Sequence, residues 1–340
     1  MSVIKTVMAL PEKVIHSDKG HILELIDEDV QSVNAFKTRL RLTDTQKRGV
    51  NEGSSEPVHK KQRLHGNIAA AGDNSSILDS VCADDFRQYN QAKSRVREFY
   101  KEQHEKQTMA YNLQARINFK TKTRARMTIW EALCRLSKLI DDSDPDTELS
   151  QIDHALQTAE SIRADGKPRW MQLVGLIHDL GKILYFFESE GQWDVVGDTF
   201  PIGCKFVDEI IFHEFFEGNP DNKHPIYSTR LGIYAEHCGL SSVMISWGHD
   251  EYMYYIAKSQ STLNDEALAM IRYHSFYPWH REGAYRYLMN ERDFKMLSAV
   301  QEFNKYDLYS KGLNKYNVET LKPYYLELID EFFPSKYIEF

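Results

Sequence analysis

A histidine followed directly by an aspartate, His178-Asp179, lies inside the apolar run Leu176-Ile177-His178-Asp179-Leu180-Gly181-Lys182. An unpaired carboxylate buried there would be very costly, and coordination to a metal ion satisfies both side chains at once. His154 stands upstream in Asp153-His154-Ala155, and Asp307 far downstream in Asn304-Lys305-Tyr306-Asp307-Leu308. His249, in Trp247-Gly248-His249-Asp250, and His274, in Tyr273-His274-Ser275, bring the set to four His and two Asp. Such a set serves two octahedral metal ions if one carboxylate bridges them and some positions stay open. Imidazole and carboxylate suit iron, whereas thiolate would favour zinc or clusters. Lys182 follows His178 by four residues and so shares its helical face, where a cation could stabilise a developing alkoxide; Lys311 stands in the same relation to Asp307. The remaining histidines lack such company: His213, His224, His237 and His280 read as surface, capping or core groups, with His280 a candidate partner for a ligand imidazole.

Helices must carry these ligands. A cap at Asp84 or Asp85 starts a predicted helix from Phe86 through Tyr100 and beyond. Ile129, Leu133, Leu136 and Ile140 recur at helical spacing, and the acidic, proline-containing turn 141–146 ends that stripe. Further helices are predicted over Ile152–Arg163, Trp170–Phe187, Tyr227–Cys238, His249–Lys258, Glu266–Phe276 and Asp293–Tyr309. The best strand candidate, Trp193–Val196, is short. The pattern is mostly α, in one domain over residues 76–340 with no internal repeat. Residues 1–75 differ: from Leu42 to Ser76 the chain is polar and aperiodic, too poor in apolar surface to offset its ordering entropy, and is expected to be a disordered extension.

Composition narrows the function classes. Of the 340 residues 42% are hydrophobic and 27% charged, and 19 Tyr and 17 Phe supply a large core. A net charge of −8 argues against nucleic acid or an anionic membrane as the main partner. Cys82, Cys134, Cys204 and Cys238 form no CxxC pair, which points to a reducing, cytoplasmic setting. No stretch approaches the roughly 18 apolar residues of a membrane span, and the first residues lack the regions of a signal peptide.

The order His, His-Asp, distant Asp resembles the HD-domain superfamily of helical metalloproteins, which by itself implies a metal-dependent phosphohydrolase. His249 and His274 extend the set beyond that pattern. Seven blocks in order resemble the myo-inositol oxygenase family over roughly residues 80–340: 141–146 (DDSDPD), 154–160 (HALQTAE), 175–182 (GLIHDLGK), 197–204 (GDTFPIGC), 246–252 (SWGHDEY), 274–280 (HSFYPWH) and 301–309 (QEFNKYDLY).

That resemblance implies an HD-like helical domain and a reaction in which dioxygen cleaves the ring of myo-inositol to D-glucuronate. It implies a mixed-valent Fe(II)/Fe(III) pair and no organic cofactor. His154, His178 and Asp307 would hold one iron, His249 and His274 the other, and Asp179 would bridge. Lys182 and Asp179 would be catalytic. Arg87, Asp141, Ser143, Lys182, Gly197, Ser275 and Lys311 would contact substrate, Gly197 because a side chain would intrude on the ligand. A monomer is expected. Two other functions stay in view: an HD-type phosphohydrolase, against which the 274–280 and 301–309 blocks speak, and a binding module descended from the enzyme, which the loss of a ligand would have favoured.

Overall fold

Residues three and four positions apart share a face of an α-helix, and burial of that face ties a helix to the core. In α1 (Ser94–Lys106) that face is Val96, Phe99, Tyr100, Gln103 and His104. The structure is a computed structural model that describes residues 94–144, 150–187, 189–309 and 316–340, all in the unit Asn74–Phe340. The expected extension 1–75, Arg87, Lys311 and the start of the helix predicted from Phe86 lie outside the described residues.

Most helix starts are set by local chemistry. Thr108 caps α2 (Met109–Thr121) by accepting from the Tyr111 amide at 3.2 Å. Thr128 and Glu131 form a reciprocal capping box at the head of α3 (Ile129–Leu136). Ser150 caps α4 (Gln151–Ala164), Asn264 caps α7 (Asp265–Tyr273) and Asn317 caps α10 (Val318–Phe332); each cap contributes about 1 kcal/mol. Between these lie α5 (Arg169–Ile177), α6 (His249–Gln260), the single turn α8 (Tyr277–His280) and α9 (Glu291–Tyr309). Strand β1 (Arg126–Met127) pairs antiparallel with β2 (Ile338–Glu339). No described helix is long and apolar enough to cross a membrane.

The main core joins the elements that carry the candidate ligands. Leu156, Ala159 and Ile162 of α4, Val174 and Ile177 of α5, Ile256 of α6, Ile271 of α7 and Phe303 of α9 belong to one buried cluster. Helices with shared core side chains cannot move independently, so ligands far apart in sequence are held in one frame. The long connection 189–248 is mostly irregular and carries four short 3₁₀ turns. It is anchored by stacked rings, Phe206 on Phe216 at 4.0 Å and Phe216 on His104 of α1 at 4.1 Å.

Four expectations need correction. Trp193–Val196 is not a strand: Gln192–Asp194 forms a 3₁₀ turn, with the Val195 and Val196 amides both donating to Gln192 O. Tyr227–Cys238 is not a helix, because its amides are taken by distant carbonyls, Ile233 by Gly203 and His237 by Tyr287. The stripe from Ile129 ends with α3 at Leu136, and Ile140 is 67% exposed. Trp170–Phe187 is not one α-helix: α5 gives way at His178 to a nine-residue 3₁₀ segment, His178–Phe186. Such long 3₁₀ runs are uncommon.

Candidate metal centre

That switch in helix type sets the site. His178 and Asp179 open the 3₁₀ segment, and its Gly181 lies flush against the start of α6. A Cβ on Gly181 would sit 2.1 Å from the His249 carbonyl oxygen. Any side chain there would force the two segments apart, and with them Asp179 and His249.

The six candidate ligands converge, and all are buried. His154 Nε2 lies 3.1 Å and His178 Nε2 3.3 Å from Asp307 Oδ1, and each is 3.6 Å from Asp179 Oδ2. On the other side, Asp179 Oδ1 lies 3.4 Å from His249 Nε2 and 3.5 Å from His274 Nε2, which are 3.2 Å from each other. Bonds of about 2.1 Å at right angles place neighbouring ligand atoms about 3.0 Å apart, so both groups have the spacing of a coordination sphere. The two oxygens of one carboxylate face different histidine sets, which is the arrangement of a bridging ligand.

The imidazoles are oriented for this. His178 Nδ1 meets Gly175 O at 2.9 Å, His249 Nδ1 meets Val195 O at 2.8 Å, and His274 Nδ1 meets Ile271 O at 3.0 Å. A proton held on Nδ1 leaves Nε2 free to bind a metal. The fully buried His178 Nε2 indeed makes no hydrogen bond, so the donor set fits metal ions. Although burial opposes ionisation, Lys182 and His178 hold Asp179 well below the usual carboxylate range. Burial opposes ionisation of Asp307 too, but its hydrogen bond with His154 and the neighbouring His178 imidazole hold its pKa low. Burial likewise disfavours charge on His274, but Asp250, Asp179 and Asp307 outweigh it and push its pKa up to about 9. A metal ion would compete with that proton.

Beside the ligands, Lys182 Nζ donates to Asp179 Oδ2 and Asp141 Oδ2, both at 2.9 Å. Burial opposes the ammonium, and the two carboxylates outweigh it and raise its pKa. Asp141 Oδ1 accepts from the Ser143 amide at 2.9 Å and hydroxyl at 2.6 Å, so Asp141, Ser143 and Lys182 form one buried chain leading to the Asp179 carboxylate. Ser275 Oγ is 3.4 Å from His249 Nε2. Gly197 has φ +92°, and the room a Cβ would need is taken by Phe99 and Gln103, so its need for glycine arises from packing against α1. His280 accounts for itself, its Nε2 meeting His274 O at 2.9 Å.

Two groups escaped the sequence analysis. Asp250 is fully buried and lies 3.2 Å from His274 Nδ1. Glu251 is fully buried between Arg116, at 2.8 Å, and Arg272. Both guanidiniums also donate to carbonyls of the 240–245 loop, Arg116 to Ile245 and Arg272 to Leu240 and Val243. Burial works against the Glu251 carboxylate, but Arg272 and Arg116 outweigh it and hold its pKa low. The only available signal was a second His-Asp dipeptide, His249-Asp250, followed by an acid inside an apolar helix.

The helical frame carries a His/Asp centre compatible with a metal site, its two adjoining ligand groups sharing Asp179. Comparison with known proteins makes this specific, since the profile of the family described as myo-inositol oxygenase matches residues 93–340. The chain belongs to the myo-inositol oxygenase family. It is 48% identical over 258 residues to Inositol oxygenase 1 of Arabidopsis thaliana, covering 74% of this chain and 83% of that one. Inositol oxygenase of Dictyostelium discoideum is 48% identical over 260 residues, covering 74% and 89% of the two chains. Inositol oxygenase of Mus musculus is 48% identical over 257 residues, covering 74% and 90%.

Proposed function

We propose that this chain is an inositol oxygenase that converts myo-inositol and dioxygen to D-glucuronate and water, with two iron ions held as an Fe(II)/Fe(III) pair. One observation carries the proposal: the oxygens of Asp179 are divided between the His154/His178/Asp307 group and the His249/His274 pair. His154, His178 and Asp307 would hold one iron, His249 and His274 the other, and Asp179 both. When bound, the iron pair supplies a Lewis acid for a substrate hydroxyl and an electron source for dioxygen.

The residues of the chain bind and orient. The Lys182 ammonium, kept charged by Asp141 and Asp179, offers a fixed cation to an oxygen that gains negative charge as its proton leaves. Ser143 and Ser275 supply hydroxyls that either donate or accept, which suits a polyol. Asp141 holds the lysine, and Ser143 in turn holds Asp141. Arg87, Gly197 and Lys311 are proposed as further substrate contacts by family resemblance. The buried centre limits the water near the reacting carbon. The polypeptide is taken as a cytoplasmic monomer.

The test is anaerobic reconstitution with ferrous iron and a mild reductant, then addition of myo-inositol and oxygen. Glucuronate formed in step with oxygen consumed, and abolished by His274→Ala, is the expected result. Two bound irons with no glucuronate, but turnover of a phosphomonoester, would replace the proposal with a phosphohydrolase.

A further inference from the structure

We infer that Asp250, a member of neither ligand group, is a positioning residue that equips the second metal position by orienting His274 and lending it negative charge. The inference rests on the two-metal reading of the site. Three observations support it. First, His274 differs from the other candidate ligands: its Nδ1 faces both Ile271 O at 3.0 Å and Asp250 Oδ1 at 3.2 Å, whereas His178 and His249 present Nδ1 to a backbone carbonyl. A carboxylate behind an imidazole fixes its tautomer and makes the far nitrogen a better metal donor.

Second, among the described residues the Asp250 carboxylate forms no ion pair with a lysine or arginine. The adjacent Glu251 is matched by Arg116 and Arg272, but the ion pairs seen for Asp250 are with imidazoles alone, His249 and His274. Its carboxylate is fully buried, and a buried carboxylate without a compensating charge is strongly destabilising. A metal ion held by His249 and His274 supplies that charge.

Third, the carboxylate points the right way. Oδ1 accepts from the Ser275 amide at 3.4 Å and faces His274. Oδ2 forms no hydrogen bond and lies 3.3 Å from His249 Nε2, the nitrogen that faces Asp179. One side chain therefore touches both imidazoles of the second position and neither of the first. The chain contains two His-Asp dipeptides with divided roles: Asp179 joins the two positions, and Asp250 braces one.

The test is an anaerobic calorimetric titration of the full chain with ferrous ion, with metal counted after gel filtration, for wild type, Asp250→Asn and Asp250→Ala. Wild type should bind two equivalents. In the variants the first equivalent should keep its affinity while the second weakens about 10- to 100-fold, more in Ala than in Asn. The metal-free variants should melt at or above the wild-type temperature, because the buried carboxylate that lacks its metal charge is gone, and this separates orientation of a ligand from damage to the fold. Variants that keep the second equivalent within about threefold overturn the inference alone. Loss of both equivalents together, with a lowered melting temperature, overturns it in favour of a general structural role. A wild-type chain that takes up only one equivalent overturns both the inference and the two-iron proposal.

Discussion

Lys182 is locked between two carboxylates, and that makes its removal informative in two separable ways. Lys182→Met deletes the cation proposed to steady the developing oxyanion, and kcat/KM should fall about 100-fold or more. It also strands Asp141 and Asp179, so stability should drop by about 3–5 kcal/mol. Adding Asp141→Asn should restore part of the stability and none of the activity, as urea unfolding and oxygen uptake would read out separately. His104 makes a different residue-scale prediction. Its imidazole is fully buried against Phe216, with Nε2 on Ile211 O, and burial lowers its pKa to about 3. The folded state thus refuses a proton that the unfolded chain accepts below the ordinary imidazole value of 6.5. Stability should therefore be lost as pH falls through that window. Between about pH 7 and 5 the wild type should lose about 2 kcal/mol more than His104→Phe, the difference between the two chains cancelling the other titrating groups. Equal losses in urea titrations would remove His104 as the cause.

Among the elements, the junction of the 3₁₀ segment with α6 is the most demanding contact, and Gly181→Ala tests it. A Cβ 2.1 Å from the His249 carbonyl oxygen must push the two apart, so metal stoichiometry and turnover should collapse while far-ultraviolet circular dichroism changes little. Retention of two metals would mean that the backbone there yields. Sequence periodicity foresaw α4, α6, α7 and α9 to within a few residues, because their apolar residues recur at helical spacing. It could not foresee the switch at His178, since an apolar run such as Trp170–Phe187 serves an α-helix or a 3₁₀ segment equally. Tyr227–Cys238 has helical spacing but loses its amides to Gly203 and Tyr287, which are far off in sequence. Helix α10 carries Pro323, which interrupts the usual sign of a helix. The metal ligands were legible because His and Asp are rare in apolar helices without a partner. Asp250 was not, because its role depends on which way a carboxylate turns.

On the scale of the whole molecule, the candidate ligands come from α4, the 3₁₀ segment, the head of α6, the end of α7 and α9. An unfolded chain does not hold them together, so metal binds the native state almost alone. Metal-loaded protein should therefore melt above the metal-free form, with stabilisation of about 4 kcal/mol when free metal exceeds Kd a thousandfold. Equal melting temperatures would contradict this coupling. A chain starting at residue 76 should keep both metals and full turnover, if the preceding residues lie outside the catalytic domain. The wide separation of His154 from Asp307 along the chain has a consequence for the amount of enzyme present. Where metal is scarce, newly made chains fold without the stabilisation that bound metal would add and should spend more time open to proteases and chaperones. Scarcity should then lower the abundance of this protein as well as its specific activity, so the cell's metal supply helps set how many copies endure.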